Sequence, residues 1–149
     1  MSDALRIVHI IASMVWLGGS FLASVFAARM KAADPAHALG FARDMSMVSQ
    51  RVFMPAAIVV LAMGSWLVLD STIYTFAQAW IVIGIAAVAI TAAMGPLFFA
   101  PTIAKGISAM EAGDGPAAGA IMSRLGIGSK TALALQFVAV WAMVVKPGL

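Results

Sequence analysis

The chain has 149 residues, of which 63% are hydrophobic and 10% charged, with a formal charge of +3. Its mean hydropathy is +1.03. A soluble domain is about 45–50% apolar and about 25% charged, so these totals exclude an ordinary water-soluble globule and equally a disordered chain, leaving a small polytopic membrane protein. The absence of cysteine excludes disulfides, thiolate metal sites and a cysteine nucleophile.

Four segments carry the roughly 20 apolar residues that a membrane-spanning helix needs. They are predicted at about 5–28, 52–69, 79–100 and 126–145. Their unbroken apolar runs fit helices rather than the alternating pattern of barrel strands. The expected fold is thus all-α, a single-domain integral membrane four-helix bundle. The first segment is longer than a signal-peptide core and reads as a retained helix.

The first connection, Met30–Arg51, holds Asp34-Pro35, an N-cap followed by proline at the first helical position. The second helix is therefore expected to begin near Pro35 and to project from the membrane. The second connection, Asp70–Gln78, is short; Tyr74, Trp80, Trp66 and Trp141 suit a membrane interface. The third, Pro101–Leu125, is rich in glycine and predicts two short interfacial helices around a turn. Pro96 is expected to kink the third helix or end it early. Gly18-Gly19, Gly64-Ser65 and Gly95-Pro96 read as points of close helix approach.

Basic residues set the orientation. Arg29, Lys31, Arg43 and Arg51 lie in or beside the first connection, and Lys105, Arg124 and Lys130 in or beside the third; the other face has Arg6 and Lys146. The positive-inside rule then places both termini on the non-cytoplasmic side of a bacterial inner membrane. The loop charge serves topology and gives no support to nucleic-acid binding. No carboxylate falls within a span, which argues against proton-coupled transport.

His9 is the most informative residue. An ionisable side chain in a span normally faces the bundle interior or a cavity. Residues 9, 13, 16, 20 and 24 recur at helical spacing, so His9, Ser13, Trp16, Ser20 and Ser24 form one stripe. Neutral imidazole is a good ligand for haem iron or a metal; it is equally a good hydrogen-bond partner for a neighbouring helix. Partners for His9 on a haem include Met143 or Met63 as a second ligand, Gly84 as room for a flat ring, or His9 of a second copy in a homo-oligomer. Arg6, three residues before His9, could pair with a propionate, or snorkel to headgroups. Copper held by methionine is the metal alternative, although Met45 and Met47 are the only tight pair. Gln136 reads as an interhelical hydrogen-bonding group.

Val8-His9-Ile10 followed by Trp16-Leu17-Gly18-Gly19-Ser20-Phe21 resembles the first helix of HemJ, the membrane-bound protoporphyrinogen oxidase, and of the related CopD-type copper-resistance proteins. The resemblance continues in Arg51-Val52-Phe53-Met54-Pro55-Ala56, in Ala79-Trp80 and in Val144-Val145-Lys146-Pro147-Gly148. It implies a four-helix membrane bundle with a haem-ligand role for His9, in electron transfer or haem handling. It departs from HemJ at Gly84, where that family carries a lysine, and at Ile127-Gly128-Ser129-Lys130, where an Asn-Glu-Pro stretch is replaced; both departures point away from the oxidase activity. The better fit is to a group of predicted bacterial integral membrane proteins of similar length, for which the resemblance implies a fold and no settled function.

Overall fold

The computed structural model describes residues 2–30 and 33–148; Lys31 of the first connection lies outside them. The chain is all-α, with α1 (Ser2–Met30), α2 (Pro35–Val48), α3 (Met54–Leu69), α4 (Ala79–Met94), α5 (Ala100–Glu111) and α6 (Gly115–Val145). A π-turn at Ser49–Phe53 joins α2 to α3, and a second at Gly95–Phe99 joins α4 to α5. Four continuous helices result, Asp3–Met30, Pro35–Leu69, Ala79–Glu111 and Gly115–Val145, each long and apolar enough to cross a membrane. α1 packs along α3, α3 on α4, α4 along α6, and α6 on α1, so the bundle closes in chain order.

Both π-turns sit where proline would otherwise break a helix. Proline lacks an N–H, and its ring crowds the carbonyl four residues upstream. The carbonyl four residues upstream of Pro55 is that of Arg51, inside the first wide turn, and the one four residues upstream of Pro101 is that of Leu97, inside the second, which also contains Pro96. There the Met54 N–H bonds back to Ser49 O and the Ala100 N–H to Gly95 O, five residues each. One extra residue absorbs the crowding, and the helix continues instead of ending.

This corrects two expectations. The third span runs on to Glu111, and the fourth begins at Gly115 rather than Gly126, so residues 101–125 do not form two short interfacial helices. Gly106, Gly119 and Gly126 lie within helices. The turn itself is made at Gly113, whose φ of 71° lies in the left-handed region that favours glycine, and Asp114 then caps α6 by accepting from Ala117 N at 3.0 Å. The start of α2 agrees with the sequence reading: Asp34 accepts from Ala36 N and His37 N at 3.0 Å, with Pro35 in the first turn.

The core divides in two. Ala12, Trp16, Ala57, Val60, Ala87, Val88 and Ala139 fill the middle of the bundle. Val68, Trp80, Ile81 and Ala142 fill the end nearest the 70–78 connection. Large side chains seat in glycine notches. Phe53 lies against Gly19, Phe98 against Gly128, and Ile121 against Gly106. Gly18, in contrast, has open space where a Cβ would go, so of the Gly18-Gly19 pair only Gly19 makes a close approach. The outer surface stays apolar, with Met14, Leu97 and Val144 each more than two-thirds exposed. A patch of this extent is compatible with lipid contact and disfavoured in water.

At the far end of the long helices, Arg43 of α2 pairs with Glu111 of α5 at 2.6 Å. At the other end, Lys146 caps α6 in the left-handed conformation and donates to Tyr74 Oη at 2.8 Å. Its ammonium lies 4.9 Å from the Tyr74 ring centre and 5.5 Å from that of Trp80. Trp80 is therefore buried, 6% exposed, and not an interfacial anchor as its position suggested. Trp66 and Trp141 are half exposed.

Candidate functional site

The polar stripe of α1 turns inward. Trp16 is buried, and His9, Ser13, Ser20 and Ser24 are half-buried, while Ile10, Ile11, Met14 and Val15 between them are exposed. Ser13 donates to His9 O at 2.7 Å, Ser20 to Trp16 O at 2.7 Å, and Ser24 to Ser20 O at 2.9 Å. These hydroxyls are spent on their own helix. Gln136, 3% exposed on α6, reaches across to Ser20 with Nε2 donating to Oγ at 3.2 Å. Its Oε1 is buried with no partner among the described residues.

His9 is seated on α3. Its Nδ1 lies 3.0 Å from the Val60 carbonyl, and its ring lies over Gly64, where a Cβ would meet Cε1 at 3.0 Å. Nε2 makes no hydrogen bond among the described residues. A ring with one nitrogen held by the backbone and the other open has the donor chemistry of an iron ligand, the second hydrogen bond fixing its orientation.

The other residues named from the sequence do not gather around it. Met143 and Gly84 meet each other between α6 and α4: a Cβ on Gly84 would lie 2.7 Å from the Met143 methyl. The room expected for a flat ring at Gly84 is thus filled, and the Met143 thioether is occupied in packing. Trp16 is a core residue of the middle cluster. Arg6 points to Asp3 at 3.4 Å on an exposed surface, not to His9. Of the haem-binding set, the donor fits and the slot at Gly84 does not. The described residues contain no group of three or more histidines and carboxylates able to hold a metal ion. Among the described residues, one open groove runs along Met14, Leu17, Gly18, Phe21 and Phe137 and another along Ala36, His37, Gly40, Phe41 and Asp44; His9 lines neither of these.

Sequence reasoning missed Val60 and Gly64 as the seat of His9. Hydropathy places residues along a span but not the lateral register of two helices, and Gly64 carried only a generic small-residue signal. It also missed the Lys146–Tyr74–Trp80 cluster, in which Lys146 lies more than 60 residues from the two aromatics.

Outside the helices, the Asp34 carboxyl is electrostatically perturbed. The His37 backbone N–H, then the His37 side chain, hold its carboxyl below the ordinary value near 3.8. It also pairs directly with the His37 imidazole.

No protein-family model, curated protein or solved structure matches this chain.

Proposed function

We propose that the protein is a four-span membrane bundle that binds b-type haem through His9 and acts in electron transfer or haem handling. The observation that carries this is the His9 ring itself: a half-buried imidazole on a helix apolar enough to cross a membrane, anchored at one nitrogen and open at the other. Polar groups of this kind in a span are costly and mark functional positions. Haem bound there supplies one-electron chemistry at iron; the chain supplies the ligand and its orientation. The HemJ-like and CopD-like pattern points the same way, and Gly84 in place of the HemJ lysine turns the reading from the oxidase toward binding or transfer.

The bundle sits in a bacterial inner membrane with both termini outside, supported by the clustering of basic residues at one end. Because the chain has no cysteine, this is directly testable. Thr72→Cys is labelled by an impermeant thiol reagent in intact spheroplasts, and Ala112→Cys only after lysis; the reverse pattern overturns the orientation.

A specific observation favours one second reading. Gly64 receives His9 much as Gly19 receives Phe53, as expected of a cofactor-free bundle in which His9 only joins α1 to α3. Oxidised and reduced visible spectra of the purified protein decide between them. A Soret band with sharpened reduced bands, lost in His9→Ala, supports the haem reading. A colourless protein from haem-replete cells, or a band that survives His9→Ala, refutes it.

A further inference from the structure

We infer that the α3 backbone at Val60 and Gly64 is the positioning element for His9, fixing the imidazole as the Nδ1–H tautomer so that Nε2 offers a lone pair. What that lone pair serves rests on the ligand reading above; the tautomer rests on geometry alone.

The Val60 carbonyl can only accept, and it lies 3.0 Å from Nδ1. The hydrogen of the neutral ring is therefore on Nδ1, and Nε2 is an acceptor. In a regular helix that carbonyl already accepts from the N–H of residue 64 and is screened by the side chains of the next turn. Residue 64 is glycine, so the screen is missing. A Cβ there would lie 3.0 Å from Cε1 and 3.3 Å from Nδ1, inside normal contact. Gly64 is thus a window onto the Val60 carbonyl, and the ring reaches the second acceptor position of that oxygen through it.

The consequence is chemical selectivity. A lone pair on Nε2 takes a Lewis acid, such as a haem iron or a metal ion, or accepts from a hydroxyl. It does not donate to a carbonyl. The nearest polar side chain on the same stripe leaves this unchanged, because Ser13 donates to the His9 backbone and not to the ring.

The test uses the full chain in nanodiscs, labelled with ¹⁵N-histidine and prepared without haem. The His9 signals are identified by comparison with His9→Asn, since the only other histidine is His37. At mildly alkaline pH, Nδ1 is expected at a pyrrole-type shift and Nε2 at a pyridine-type shift. The opposite pattern in the wild-type protein overturns the inference without any variant. Gly64→Ala should move the population toward the Nε2–H form, whereas Gly18→Ala, where a Cβ meets nothing within 4 Å, should leave it unchanged. A Gly64→Ala spectrum identical to wild type removes Gly64 from its positioning role. A colourless protein with the Nδ1–H pattern refutes haem binding and upholds this inference; a His9-dependent haem band with the Nε2–H pattern does the reverse.

Discussion

Replacing Gly128 by alanine probes the tightest of the glycine notches among the described residues. A Cβ at that position would lie 2.2 Å from Phe98 Cε1, 2.9 Å from Cζ and 3.2 Å from Cδ1. Carbon atoms in contact prefer about 3.5–4.0 Å, so the ring has to retreat by more than an ångström. Phe98 cannot do so freely: it stacks edge-on against Phe99 at 5.2 Å, and Arg124 lies 5.8 Å from its ring centre. Overpacking of this kind costs about 1–3 kcal/mol, set against at most about 1 kcal/mol gained from removing a helical glycine. The net expectation is a loss of about 1–2 kcal/mol. Phe98→Leu removes the obstructing edge and is itself destabilising, so the double variant should lose clearly less than the sum of the two, with a coupling of about 1 kcal/mol or more. The assay is reversible unfolding of the detergent-solubilised protein followed by tryptophan fluorescence. Gly18→Ala, with no neighbour within 4 Å, serves as the reference and should be as stable as wild type or up to about 1 kcal/mol more so. Strict additivity of Gly128→Ala and Phe98→Leu would refute the notch as the cause.

The buried amide and the exposed cap give two further tests. Gln136→Leu loses one hydrogen bond, worth about 0.6 kcal/mol on average between membrane helices, and removes an orphaned carbonyl that costs about 1–3 kcal/mol; the variant should be at least as stable as wild type in the same unfolding assay. Ser20→Ala leaves both ends of that amide unpaired and should lower stability by about 1–2 kcal/mol, so a Gln136→Leu loss larger than the Ser20→Ala loss would contradict the hydrogen-bond accounting. For Asp34, the folded carboxyl titrates below its ordinary value near 3.8, so its contribution is fully present above that value and disappears as pH falls through the lowered one. Protection of the Ala36 and His37 amides, taken relative to their intrinsic exchange rates, should therefore persist through the ordinary carboxylate range and be lost only on further acidification; Asp34→Asn keeps the cap and should remove this acid loss of protection, and a cap that weakens already near neutral pH would refute the assignment.

The fold was legible wherever one physical cause acted alone. Four apolar runs required four helices, and Asp34-Pro35 marked the start of α2 to the residue. The errors arose where two causes competed. Pro96 and the glycines between 101 and 125 read as breakers, but the helix runs on through a widened turn at Pro96 and packing against Ile121 accommodates Gly106. The inward face of α1 was likewise readable from its period, because serine, tryptophan and histidine recur every three or four residues. What that face meets was not readable. His9 seats on Val60 and Gly64, while Gly84 and Met143, placed at its depth from span lengths, pack against each other elsewhere in the bundle. Sequence gives depth along an axis; lateral partners depend on side-chain shape, and the shape that decides here is the missing Cβ of glycine.

The two π-turns have a consequence for tolerance to length change. An α-helix advances about 100° per residue, so each extra residue acts as a phase-setting joint between the helix before it and the helix after it. Upstream of the first joint, α2 must face α5 to bring Arg43 to Glu111; downstream, α3 must face α1 to receive His9. Deleting one residue between Ser49 and Phe53 would restore a regular helix at the cost of rotating one of these faces away from its partner. Indels within the four continuous helices of this chain are thus governed by angular phase, and the two wide turns set that phase between α2 and α3 and between α4 and α5.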